Sequence, residues 1–556
     1  MLAGLEDVNT HHGDVRASGD SEAASSGRTA GSFQLFDSLT NGHFGSITSR
    51  DLAGEELMDD LSNSMTKCDA DIQVLGPAEL LVTQNGKQSV HIGINSSGAT
   101  VASCVDDASK AQATVAQPST ADFLIELNHY SNDAGVYSPP APLCQLPARQ
   151  IAFECVEGYC RKVNTYYPII DQEKIRQSLN MMYSEARNQL GALDHCLCYL
   201  VISIGSLMNP IPTEHAKTTA DLYREAWSLL QDCISSPGEL SLQIVLLHVV
   251  HYMAVAKAGI AWTYSGLAVR MAQGLGLDRL PSQTSLTSSE SKNLWWIALS
   301  FDATLSMSQG RPPAVAKIDL SFSKTPGDLE TTENGSLLPN FSYIYSWIFQ
   351  IHTFQNRFCN MIQGSESRAW KLSQIAKLDC DLIQWKDSLP VECRPDNLIL
   401  VSPERYAHIL CIHLEYFNML RSIHWLAMKL ASSATGEAQT VMSGRLKASE
   451  AICLEAARSL IKALNEHNNA SDGSDWKTCA IVFQVNNYMA AIATLYWSIS
   501  IKPKSLSARA DLELLRAGTI HLQRDTPNTV PGPGIHSMID NLVIKANDLV
   551  WKGKSH

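Results

Sequence analysis

From residue 146 onward, apolar side chains recur at three- and four-residue intervals, and after residue 150 no long run of Val and Thr alternates with the period of a strand. That patterning leaves one economical solution, in which amphipathic helices bury their apolar stripes against one another. Ala152, Cys155, Tyr159 and Val163 share a helical face, and Tyr166-Tyr167-Pro168 ends that helix because proline cannot continue it. A nearly continuous apolar helix follows over 195–208. Another spans 220–234, with Tyr223, Trp227 and Leu230 at i, i+4 and i+7, and a further one covers 240–256. Beyond Pro326 a loop containing Glu333-Asn334-Gly335 leads to helical patterns over 341–362, 367–388, 402–433, 445–467, 476–501 and 535–551. Ser402-Pro403-Glu404 is a sound helix start: a capping hydroxyl, proline at the first turn and an acid favoured by the helix dipole. The spacing has no fixed period, so the expected fold class is all-α, a large irregular multi-helical domain and not a solenoid.

Trp262 to Pro313 is the most distinctive stretch. Its first half places Trp262, Leu267, Met271 and Leu275 at helical spacing and stops at Gly274-Leu275-Gly276, where glycine can take a left-handed C-cap. A Ser/Thr-rich gap follows, then a helix opening with Leu294, Trp295 and Trp296 and ending at Gly310-Arg311-Pro312-Pro313. Consecutive residues on a helix point ~100° apart, so one tryptophan should anchor the core and the other pack on a neighbouring helix. Arg311 reads as a structural cation bonded to nearby carbonyls, with an anionic effector as the alternative partner.

The net charge of −13 is unevenly distributed. Residues 1–130 hold 6 Lys+Arg against 18 Asp+Glu, and the remainder holds 37 against 38. Neither part offers the dense basic surface that neutralising a nucleic-acid backbone needs. Residues 1–145 are therefore expected to form a mostly disordered acidic tail and linker, ending near Ser138-Pro139-Pro140-Ala141-Pro142. Two islands in it, 33–39 and 52–61, mix bulky apolar residues with acids in the manner of activation segments. A stretch from Ile72 to Ile94 has strand-like alternation in places, as at Val90-His91-Ile92. The folded body divides into a core half, 146–335, and a helical C-terminal half, 336–556, packed on it.

Residues that could carry chemistry are scattered, and no catalytic, cofactor-binding or metal site is expected. None of the 14 cysteines forms a CxxC pair. Met1 is followed by LAGLEDVNTHHGDVR, without the basic start and apolar core of a secretory signal, so the thiols are expected reduced and buried in an intracellular protein. Cys155 and Cys160 would lie ~140° apart around a helix, and Cys196 and Cys198 ~160° apart, which suits no shared metal. His248 with His251, and His408 with Cys411, share a face at i, i+3 but lack an evident third ligand, His413 pointing away; these read as core or interface side chains. The paired acids Asp59-Asp60 and Asp106-Asp107 lack the further carboxylate that a pyrophosphate-binding Mg²⁺ motif needs, and the chain has no GxSxG, Walker A loop or HExxH. The charge-free run 478–501 is long enough to span a bilayer. Gln484, Asn486 and Asn487 in its middle favour a buried helix, so no membrane partner is expected.

The LPARQIAFEC opening at Leu146, the Tyr167-Pro168-Ile169 turn before Asp171, the glycine stop, the Trp pair and the GRPPA end together resemble the fungal-specific transcription factor domain. That domain is the regulatory middle region of zinc binuclear-cluster transcription factors. Similarity covers 146–326 well and continues loosely to about 430, where HLEYFNMLRSIHWLAM looks like the family's second conserved helix. The chain departs from the family pattern at Ser291-Lys292-Asn293, where arginines are usual, at Ala303, where a base is common, and in a shortened acidic segment reduced to Asp319 and Pro326. The resemblance implies a nuclear, non-enzymatic transcription regulator of a metabolic or secondary-metabolite biosynthesis gene set. Its partners would be the transcription machinery or a coactivator, a homo- or heterodimer with a zinc-cluster relative, and a small-molecule effector. The family's six-cysteine zinc cluster is not spelled in these residues, so direct DNA binding is doubtful and no cofactor is expected in the chain. The alternatives are a helical small-molecule-binding or enzymatic protein sharing the domain, and a non-DNA-binding inhibitor of a full-length relative.

Overall fold

A computed structural model describes residues 145–556, apart from 210–212, 237, 256, 279–288, 317, 319–328, 332–336, 340, 433–437, 471–476, 526–532 and 553–556, together with three strands upstream. These strands, β1 (Ala70–Gly76), β2 (Glu79–Gln84) and β3 (Gln88–Gly93), form an antiparallel meander with Ile72 opposite Val82 and Val82 opposite Val90. They coincide with the alternating stretch seen in the sequence. The rest of 1–144, including segments 33–39 and 52–61 and the expected acidic tail, lies outside the described residues.

The body is helical. Its first part runs through α1 (Arg149–Tyr159), α2 (Gln172–Met182), α3 (Ala192–Met208), α4 (Thr213–Ser228), α5 (Leu230–Ser235), α6 (Glu239–Ala254), α7 (Ala258–Gly274) and α8 (Ser289–Gln309). Strands β4 (Leu329–Thr331) and β5 (Leu337–Pro339) pair antiparallel on either side of the Glu333-Asn334-Gly335 segment. Then follow α9 (Phe341–Gln363), α10 (Arg368–Ser388), α11 (Pro403–Ser432), α12 (Ala438–Ala470), α13 (Lys477–Ile501), α14 (Ala508–Asp525) and α15 (Pro533–Lys552). Among the described residues none of these helices is long and apolar enough to cross a membrane. In α13 the residues from Ala490 to Leu495 are fully buried, which explains its missing charges.

Local rules account for most helix ends. Asp171 caps α2, its Oδ1 accepting the N–H of Glu173 at 2.8 Å and of Lys174 at 3.2 Å. Both glycine stops are Schellman motifs. Gly276 sits at φ 72°, with its N–H on the Gln273 carbonyl and the Leu277 N–H on that of Ala272. Gly310 sits at φ 63°, with its N–H on Met307 and the Arg311 N–H on Ser306.

Four sequence readings need correction. The single helix expected over 220–234 breaks at Leu229, where the N–H reaches back only three residues to Ala226 before α5 restarts. The region expected as a plain loop around Asn334 is bracketed by the paired strands β4 and β5. α14 escaped detection because its apolar stripe is thin: Leu512 and Leu515 are buried, but Asp511 is buried beside them. The inward face of α7 also differs. Met271 faces the core as its spacing suggested, with Val269, but most of that face is small, formed by Ala258, Ala261, Ser265, Ala268 and Ala272, and Trp262, Leu267 and Leu275 are only half-buried at its margins. Small residues let α7 lie close between α6 and α8, which a stripe of large ones would prevent.

Close approach also shapes the first layer. A Cβ on Gly205 would stand 1.9 Å from the Cys155 carbonyl oxygen, so α3 and α1 touch backbone to backbone there. The buried apolar side chains form two clusters, one drawn mainly from α1–α8 and one from α9–α15. The changeover falls within α8, where Leu305 belongs to the first cluster and Met307 to the second.

Candidate functional site

Where the two clusters meet, the chain places an unusual concentration of buried polar groups. The first part of this seam is the turn after α1. The helix widens to one π turn over Cys160–Asn164 and carries the buried Lys162, whose Nζ donates to the Met208 carbonyl at 2.7 Å. A cation there also answers the negative end of the α3 dipole. Asn164 then organises the whole turn. Its Oδ1 accepts the Ile169 and Ile170 N–H groups, each at 3.1 Å, and its Nδ2 donates to the Ile170 carbonyl at 2.9 Å. The turn so shaped presents the Thr165 carbonyl outward, where it accepts from the Tyr345 hydroxyl of α9 at 2.5 Å and pairs with His408 Nε2 of α11 at 2.8 Å. Tyr166 stacks on the His408 ring with centroids 4.9 Å apart. His408 is thus a packed interface residue, as its spacing suggested, and it holds the two halves together.

The second part is the end of α8. Arg311 is buried, and its guanidinium carbon lies 4.9 Å from the centroid of the Trp262 ring. Trp262 in turn donates Nε1–H to Ser306 Oγ at 3.0 Å. The indole is a partner for this arginine that the sequence did not suggest. Around it the exit strand is pinned by side chains of α9. Gln363 donates to the Gly310 carbonyl at 3.0 Å, Asn356 to Val315 at 2.8 Å and Asn360 to Ala316 at 3.0 Å. From α8 itself, Asp302 Oδ2 accepts the Ala314 N–H at 2.7 Å. Burial pushes the Asp302 carboxyl up from an ordinary 3.8 to about 6, against the opposing pull of that N–H and of the Arg270 guanidinium. Deeper in, Thr304 of α8 donates to Gln355 Oε1 at 3.1 Å, and Gln355 passes its own N–H to Glu415 Oε2 of α11 at 2.6 Å. Three helices are thereby joined through one amide. The tryptophan pair divides as expected: Trp295 is in the core and Trp296 meets Phe349 of α9 edge-on at 4.1 Å.

The other titratable residues form packed groups. The Tyr223 ring stacks on His251 at 3.4 Å and lies edge-on to His248 at 5.6 Å, with its hydroxyl 3.3 Å from His248 Nδ1. Burial lowers His248 to about 3 and holds His251 well below the ordinary imidazole range, so both are neutral. His413 Nε2 meets the Cys393 carbonyl at 3.1 Å and faces away from His408. Among the described residues no three His, Cys, Asp or Glu side chains come together as metal ligands, and every described cysteine is a free thiol. Cys155, Cys198 and Cys411 are each pushed up to about 12 by burial, and thiols so raised are poor nucleophiles. A crevice of about 10 Å³ between Met307, Arg311, Phe358 and Gln363 has room for little more than a water, far below the ~300–1,000 Å³ clefts that take drug-sized ligands. Chemically, the seam is a set of neutral or paired groups suited to holding two helical layers in one relation.

The sequence motifs, and the seam residues up to α9, fall within a stretch that matches a known family. Residues 156–387 match the family described as the fungal specific transcription factor domain. Among curated proteins, the chain is 21% identical to the "ABC-transporter-regulating transcription factor" of Aspergillus oryzae, over 66% of this chain and 43% of that protein. It is 24% identical to the "Sorbicillinoid biosynthetic cluster transcription factor 2" of Penicillium rubens, over 58% of this chain and 50% of that protein. It is 26% identical to the "Acetamidase regulatory protein" of Aspergillus oryzae, over 50% of this chain and 35% of that protein. The matched region spans half or less of these relatives' own lengths. Residues 156–387 are thus similar to the fungal specific transcription factor domain, and the relatives that the chain resembles are fungal transcription regulators.

Proposed function

We propose that this protein regulates transcription in the nucleus of a fungus, controlling a metabolic or secondary-metabolite gene set through its helical body. The match of 156–387 to the regulatory domain carries this reading, because that span contains the turn at Thr165 and Tyr166 and the Gly310-Arg311 end, which build one side of the seam between the two cores. A regulatory module needs such a seam: a change in how the layers pack is felt on both sides at once. The named relatives, one of them a biosynthetic-cluster factor, support the metabolic assignment. The body works as a binding and relay module without catalysis, and its buried imidazoles and thiols are consistent with that role. DNA is reached through a zinc-cluster partner, or through a cluster encoded outside these 556 residues. Transcript profiling of a deletion strain tests the proposal. A coherent set of co-regulated genes should change, and an unchanged transcriptome alongside altered metabolites would instead support the enzymatic or small-molecule-binding alternative.

A further inference from the structure

Several large apolar side chains left open to solvent belong to one corner of the C-terminal half. The chain leaves α13 at Ile501 and makes a tight turn, with the Lys502 N–H on Ser498 and the Ser505 N–H on Lys502, each at 3.0 Å. It then enters α14 at Ala508. One residue later, the Arg509 guanidinium carbon lies 4.8 Å from the centroid of the Trp551 ring at the end of α15. That stacking brings the start of α14 to the last turn of α15, and the stretch from Ile501 to Arg509 carries Lys502, Lys504 and Arg509 and no acid. Leu506 is fully exposed at the turn, and Ile501, Ile544 and Trp551 are each about half-exposed or more, at 51%, 59% and 50%. Ile544 and Trp551 are two turns apart on one face of α15. The carboxylates nearby are already committed: Glu450 pairs with Lys502, Glu513 pairs with Arg516, and Asp548 has a partner of its own. Lys504 and Arg509 have no carboxylate partner among the described residues.

We propose that this corner is a docking surface for an acidic amphipathic helix of a partner protein. The apolar set Ile501, Leu506, Ile544 and Trp551 would receive the partner's apolar face, in the manner of a helix laid on a hydrophobic groove. The indole, held in place by Arg509, is the type of rigid aromatic anchor that dominates interface energetics. The cations around it answer a carboxylate-bearing helix and would speed its encounter. A nucleic acid fits less well, because phosphates would bury three aliphatic side chains without any apolar partner. The inference goes beyond the transcriptional reading and does not depend on it.

Fluorescence anisotropy with the full chain tests the proposal, using a labelled helical peptide with leucine at i, i+3, i+4 and i+7 and glutamate elsewhere. Saturable, salt-sensitive binding is expected. The double variant Lys504→Glu, Arg509→Glu should weaken it about tenfold or more, and Trp551→Ala similarly. Replacing the peptide's glutamates with glutamine should also weaken it. Hydrogen exchange on the complex should show protection at 501–510 and in the last turns of α15. Circular dichroism and thermal unfolding should leave the variants unchanged from the parent; where one is unfolded, Leu506→Ser, at a fully exposed site, reports in its place. Absence of binding, equal binding by the variants, or equal binding of the glutamine peptide would overturn the proposal. So would protection of the corner by duplex DNA or anionic vesicles in preference to the peptide.

Discussion

Replacing Asp302 with asparagine removes one titratable proton and changes the side-chain volume very little. In the folded chain this carboxyl is 1% exposed and accepts the Ala314 N–H, a bond that an asparagine oxygen can also accept. Burial places it at about 6, against 3.8 for an ordinary aspartate. Between those values the folded state holds a proton that the unfolded state has released, so stability falls as pH rises from about 4 to about 6. At ~1.4 kcal/mol for each pH unit between the two, the loss comes to about 3 kcal/mol, complete by about pH 7. The Asp302→Asn variant has no such dependence, because its amide does not titrate. Below about pH 4 the variant and the parent should be nearly equal in stability, and near pH 7 the variant should be the more stable, by up to about 3 kcal/mol. Urea unfolding followed by far-ultraviolet circular dichroism, at half-unit steps from pH 4 to 8, gives both curves, and their difference isolates Asp302 from every other group. A difference that does not change with pH, or one that grows as pH falls, would refute the reasoning.

Three further substitutions probe the frame of the body. Asn164→Ala removes the acceptor of the Ile170 N–H and the donor to its carbonyl, both buried, and should cost about 2–4 kcal/mol in urea unfolding, with faster amide exchange at Ile169 and Ile170. Gly205→Ala forces a methyl into the Cys155 carbonyl; because backbone cannot swing aside as a side chain does, a loss of about 1–3 kcal/mol is expected by thermal unfolding, and an unchanged midpoint would show that α1 and α3 are further apart. Arg458→Met leaves the buried Asp511 without its two-pronged partner at 2.7 and 3.0 Å and should cost about 3–5 kcal/mol, much of it restored in the double variant Arg458→Met, Asp511→Leu.

Much of the fold was legible in the order of residues because its determinants are short-ranged. A repeat near 3.6, a glycine able to adopt positive φ and a proline lacking its N–H act within a few positions of where they stand. The helix ends at Gly276 and Gly310, the start at Pro403 and the division of labour between Trp295 and Trp296 could therefore be read directly. So could the packed character of His248 and His251. α14 could not, because a helix with two core leucines beside a buried aspartate looks polar until Arg458, 53 residues earlier, is seen to pair with Asp511. The inward face of α7 was hidden for a related reason: alanine and serine are silent in any hydrophobic pattern, and only a neighbouring helix at close range makes them the buried side.

What the sequence alone decided is thus most of the helices, where many of them stop, and the family-like motif between Leu146 and Ala314. Only the tertiary structure decided the partners. Thr165 receives Tyr345 and His408 from 180 and 243 residues away, Trp262 shelters Arg311, and Arg509 meets Trp551 across two helices. None of these pairs shares a local period. Each exists because close packing of the whole body leaves one place for a bulky or charged side chain to go.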